Sequence, residues 1–73
     1  MNPRRYSIVI ERTNPGYSAY SPDVSGCAAA GDPEEETAAN IQEAVAFHLE
    51  GMREVGEAIP EACSSVRSVD VAA

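Results

Sequence analysis

The sequence predicts an α+β domain of order βββαβ: one mostly antiparallel four-stranded sheet with one long helix packed on one face. Three observations lead there. Two short β-branched and aromatic runs flank an Asn14-Pro15-Gly16 turn, an apolar stripe at spacings of three and four runs from Ala38 to Val55, and a last alternating run follows from Val66 to Val71.

The first strand is expected from Arg5 to Glu11, where Tyr6, Ile8 and Ile10 alternate with Ser7, Val9 and Glu11. Thr13-Asn14-Pro15-Gly16 then predicts a hairpin with a type II turn, since proline pre-sets φ at the second position and glycine accepts positive φ at the third. Tyr17 to Ser21 makes the second strand. Pro22 ends it by removing a ladder donor, and Asp23 to Gly26 turn the chain. Cys27 to Ala30 forms a third strand of small side chains, against the helical preference of alanine.

Helix-start chemistry follows at once. Asp32 is the expected N-cap, Pro33 the first helical residue, and Glu34, Glu35 and Glu36 complement the positive end of the dipole, with Glu35 in the capping-box position. Ala38, Ile41, Val45, Leu49, Met52 and Val55 form the buried stripe, and Gly56 is the stop. Glu57 to Ser65, with Pro60, reads as a surface connection. A right-handed crossover then sets a strand over Val66 to Val71 parallel to the third.

Seventy-three residues hold one domain, residues 1–73, which buries only about 60% of the surface its unfolded chain exposes. A supplement to so thin a core is expected. Two cysteines and one histidine indicate neither a disulfide framework nor a zinc site, and no cofactor is expected; a homo-oligomer, dimer or tetramer, is the expected supplement. Ile8 and Val9 point to opposite sheet faces, and one helix covers only one of them. With no signal peptide and no run of about 20 apolar residues, a cytoplasmic protein is expected. The net charge of −7, from twelve acidic residues against five arginines, repels phosphate backbones, so no direct nucleic-acid binding is expected.

Glu36, Glu43 and Glu50 recur every seven residues opposite the apolar stripe and form an acidic ridge. It reads either as a solvated helix face or as a surface for a basic protein partner. Phe47 lies off the stripe, and Val9 and Tyr20 sit in strands; these three are the candidates for an oligomer interface. His48 is expected to pack in the core, because no spacing supplies the partners of a base or a metal. Cys27 and Cys63 are expected on opposite edges of the sheet as free thiols. The tyrosines lack interleaved cations and read as packing residues.

The stretch Ala19-Tyr20 with Pro22-Asp23-Val24-Ser25-Gly26-Cys27, then Gly31-Asp32, Glu35, Glu36, Ala38, Asn40, Glu43, Ala44, Leu49-Glu50-Gly51 and Gly56-Glu57-Ala58-Ile59-Pro60, resembles the HicB antitoxin family. The resemblance implies a partly degraded ribonuclease-H-like fold and a protein that binds and occludes HicA, a small basic toxin that cleaves messenger RNA. Many members carry a DNA-binding segment after this domain; here the chain stops at Ala73, and no C-terminal DNA-binding domain is expected. An active nuclease of that fold needs converging carboxylates and metal ions, and the first strand has Ser7, Ile8, Val9 and Ile10 where a central carboxylate would stand. The expectation is therefore a non-catalytic antitoxin. The alternatives are an orphan oligomeric module with another protein or small-ligand partner and, last, a residual nuclease using Glu11, Asp32 and Asp70.

Overall fold

The computed structural model describes residues 4–73, so the first three positions of the expected 1–73 domain lie outside it. Its elements are strands β1 (Val9–Arg12), β2 (Tyr17–Ser21) and β3 (Val24–Gly31) and helix α1 (Glu34–Glu54). The sheet has three strands in the order β1-β2-β3, all antiparallel. The α+β class and the single long helix match expectation; the four-stranded sheet does not. Residues 66–71 run without ladder partners, and every residue from Ser65 on is exposed. Alternation gives that segment strand propensity, but a strand persists only against a partner.

The β1–β2 connection also departs from the expected type II turn. The Asn14–Pro15 bond is cis, while Gly16 keeps the anticipated positive φ, at 86°. The Thr13 N–H donates to the Gly16 carbonyl at 2.8 Å and closes the loop. Strand β1 is shorter than Arg5 to Glu11, because residues 4–8 lack a ladder partner. Strand β3 starts earlier than expected: Pro22 and Asp23 alone make the turn, and Ser21 pairs with Val24. The next pair is Tyr20 with Ala28, so Ser25, Gly26 and Cys27 form a bulge, where Gly26 takes φ of 80°.

Pairing sets the two faces of the sheet. Ile10 opposes Ala19, which opposes Ala29, and these point toward α1; Val9 opposes Tyr20, which opposes Ala28, and these point away. The core is Ala19, Val24, Cys27, Ile41 and Val45, with Tyr6, Ile8, Ala44 and Leu49 partly buried around it.

Helix α1 begins one residue later than expected. Pro33 is the N-cap, and Asp32 makes no side-chain cap. The Asp32 backbone N–H instead donates to Glu36 Oε2 at 3.0 Å, because proline at the cap offers no N–H for the reciprocal bond. Thr37 is fully buried, and its hydroxyl donates to the Pro33 carbonyl at 3.1 Å. A Cβ on Gly31 would stand 2.7 Å from that hydroxyl oxygen, so glycine there lets the end of β3 meet the helix. The C-terminus is a Schellman motif: Gly56 N–H donates to Arg53 O and Glu57 N–H to Met52 O, with Gly56 at φ of 80°.

Candidate functional site

The outward side of α1 carries the most chemistry. Glu36, Glu43 and Glu50 are all exposed, opposite Ile41 and Val45, and successive members stand about 10 Å apart along the axis. Phe47 lies four residues after Glu43 and three before Glu50, at neighbouring positions on the helix surface, and is 69% exposed. The structure thus sets the one phenylalanine among the acids of the ridge and leaves it out of the core. An aromatic ring beside carboxylates suits a cationic partner, since both attract guanidinium and ammonium groups.

Val9 and Tyr20 form a separate patch. They are direct cross-strand partners on the sheet face turned away from α1. One contact cannot use them together with Phe47, because helix and sheet lie between. His48, expected in the core, is exposed. It borders a groove of about 600 Å³ between β3 and the last turns of α1, with Cys27, Ala28, Phe47 and Met52. The reason is reach: α1 runs on past the narrow sheet, and positions facing inward at mid-helix overhang the bulge of β3.

A second groove, of about 730 Å³, opens on the β1 flank of α1. Ile8, Val45 and Leu49 give it an apolar floor, and Arg4, Arg5 and Arg53 stand at its rim. Three of the five arginines meet there although sequence separates them by up to 49 positions; spacing carried no signal of it.

Asp23 is the residue that sequence reasoning undervalued. Its Oδ2 accepts the backbone N–H groups of Cys63 at 3.0 Å and Ser64 at 2.9 Å, while Oδ1 accepts the Ser64 hydroxyl at 2.7 Å and the Cys63 thiol at 3.3 Å. The Ser64 hydroxyl and amide, followed by the Cys63 bonds, hold this carboxyl below the usual carboxylate range. Its negative end pushes the Cys63 thiol up, first through the hydrogen bond and then through charge. Two further bonds fix the same segment: Tyr6 Oη donates to Pro60 O and Ser7 Oγ to Ser64 O, both at 2.6 Å. Cys27 is buried, which raises its pKa, and both cysteines are free.

Glu11, Asp32 and Asp70 are exposed and lie in a strand, a helix entry and the C-terminal run respectively. Among the described residues no group of three His, Cys, Asp or Glu side chains is placed to hold a metal ion. Among the same residues no helix is long and apolar enough to cross a membrane.

Three comparisons relate the chain to known proteins. The family model described as "HicB_like antitoxin of bacterial toxin-antitoxin system" matches residues 6–72. An uncharacterised 14.9 kDa protein of the rep-hol intergenic region of Haemophilus phage HP1 is 48% identical over 56 residues. That match covers 77% of this chain but only 42% of the phage protein. Among solved structures, a chain of a HicA3 and HicB3 toxin-antitoxin complex superposes with a TM-score of 0.71 at 33% identity. The superposition covers 82% of this chain and 70% of that one.

Proposed function

The chain belongs to the HicB-like antitoxin family, and we propose that it is a non-catalytic antitoxin of the cytoplasm that binds and occludes a small basic HicA-type toxin. The likeness to a chain of the HicA3 and HicB3 complex is the observation that carries this reading. The outward face of α1 supplies the chemistry: Glu43 and Glu50 flank an exposed Phe47, and Glu36 extends the same line toward the helix N-terminus. A basic, RNA-binding toxin presents cations to its substrate, and an acidic ridge with a central aromatic anchor competes for those cations. The net charge of −7 speeds the encounter and lowers affinity for RNA itself.

Co-expression with a HicA-type toxin tests the reading. Restored growth and co-purification are expected; toxicity unrelieved and no complex would leave the orphan-module alternative. The face is tested by Phe47→Ala, expected to weaken toxin binding at least tenfold, about 1.4 kcal/mol. The triple change Glu36→Gln, Glu43→Gln and Glu50→Gln should slow association and flatten its salt dependence. If affinity and salt dependence stay unaltered, the ridge is a solvated helix face and nothing more.

A further inference from the structure

The groove beside Ile8, Val45 and Leu49 has a charge opposite to that of the chain. Acidic residues outnumber arginines twelve to five in the sequence, yet the lining of this groove holds Arg4, Arg5 and Arg53 and no aspartate or glutamate. Helical geometry makes the separation. Gln42, Leu49 and Arg53 share the face of α1 that borders the groove, whereas Glu43 and Glu50 each follow a lining residue by one position and so stand about 100° further round the axis.

The rest of the lining fixes what kind of anion fits. The wall opposite the helix is the run ahead of β1, with Arg4, Arg5, Tyr6 and Ile8; between the walls Val45 is buried and Ile8 and Leu49 are half-buried, while all three arginines are exposed. A guanidinium fork matches a carboxylate, and an aliphatic floor takes an aliphatic neighbour of that carboxylate out of water. Length then selects the class of ligand. From Ala38 to Arg53, both in the lining, the helix rises about 22 Å, which an extended peptide covers with about seven residues. A nucleic acid suits the groove less well. The net charge of −7 and the ridge on the next face of α1 repel its remaining phosphates, and the lining offers one aromatic ring, Tyr6, where single strands are held by several.

We propose that this groove binds a short acidic segment of a partner protein, with carboxylates on Arg4, Arg5 and Arg53 and aliphatic side chains on Ile8, Val45 and Leu49. Charge complementarity carries the proposal, and it does not rest on the toxin reading. That reading uses the ridge and Phe47 to attract cations; the groove attracts carboxylates on the adjoining face of the same helix.

Selection of random phage-displayed peptides on the immobilised 73-residue chain should enrich sequences in which Asp or Glu is interspersed with Leu, Ile or Val. A fluorescein-labelled peptide of the enriched sequence should bind less tightly as salt rises, and its amide counterpart, with Asn and Gln for the acids, should not bind. Arg5→Ala with Arg53→Ala should weaken binding by about tenfold or more. Ala46→Glu, which sets a carboxylate on an exposed lining position, should weaken it similarly, and the helical circular dichroism spectrum should be unchanged in both variants. No enrichment, or enrichment of basic or wholly apolar peptides, would overturn the proposal. So would binding indifferent to these substitutions, or a single-stranded RNA of similar length that displaces the labelled peptide more effectively than the unlabelled peptide does.

Discussion

The two halves of α1 differ sharply although one sequence pattern runs through both. Thr37, Ile41 and Val45, the buried residues of the helix, all fall in its first twelve positions, whereas Phe47 and the C-cap residue Val55 are 69% and 71% exposed. The first half meets β3 at the close approach of Gly31 to Thr37; the second overhangs the bulge of β3 and borders both grooves. The helix is about 31 Å long at 1.5 Å per residue, more than three short strands can cover. A stripe of apolar residues therefore measures where a helix could be buried, and the width of the sheet decides where it is.

The largest expected effect is the contrast between Ile41→Ala and Val55→Ala. Ile41 is fully buried, and its truncation should cost about 2–5 kcal/mol, read by urea unfolding. Val55→Ala should stay within about 0.5 kcal/mol; comparable losses at both sites would abolish the distinction between the halves. Gly31→Ala comes next. Its Cβ would stand 2.7 Å from Thr37 Oγ1 and 2.9 Å from Thr37 N, so an overpacking loss of about 1–3 kcal/mol is expected. A Cβ on Gly51, on the overhanging half, would meet nothing within 4 Å, and Gly51→Ala should stabilise by about 0.5–1 kcal/mol.

The smallest effect concerns the segment that follows the helix. The Asp23 pKa is lowered by its bonds to Ser64 and Cys63, so their contribution is present above the unfolded-state pKa and is lost as pH falls through the lower folded-state value. Amide protection at Cys63 and Ser64 should therefore fall on acidification into that range, while that at Ile41 persists. Asp23→Asn should reproduce the loss at neutral pH. Equal loss of protection at Ile41 would show that anchor and core open together.

What could be read beforehand follows the range of the interactions involved. Strand β2, the apolar stripe from Ala38 to Met52, and Gly56 are local in origin, set by alternation, helical period and a left-handed φ, and they were legible. The N-cap lies at Pro33 rather than Asp32, and Glu36 rather than Glu35 reaches back to the Asp32 amide, a choice between two adjacent carboxylates that pattern does not make. Thr37 was overlooked because its burial depends on the missing side chain of Gly31. His48 fitted the inward side of the helix by period alone, and the end of the sheet left it exposed. The Asp23 anchor joins residues forty apart through four hydrogen bonds, and the alternation of residues 66–71 does not by itself bring a ladder partner to them. Of the surface residues, the ridge of Glu36, Glu43 and Glu50 was visible as a period of seven and Phe47 as an aromatic off the apolar stripe, but period alone did not decide that Phe47 stays outside the core.

The side-chain amide of Asn40 on the Ala30 carbonyl has a consequence beyond the helix it belongs to. Eight residues of alanine, glycine and other small side chains along a bare sheet margin would invite like strands to stack on one another without limit, the first step toward fibrous precipitate. By occupying a carbonyl at one end of that margin, while the bulge bends the other, the molecule breaks the continuous template such growth requires.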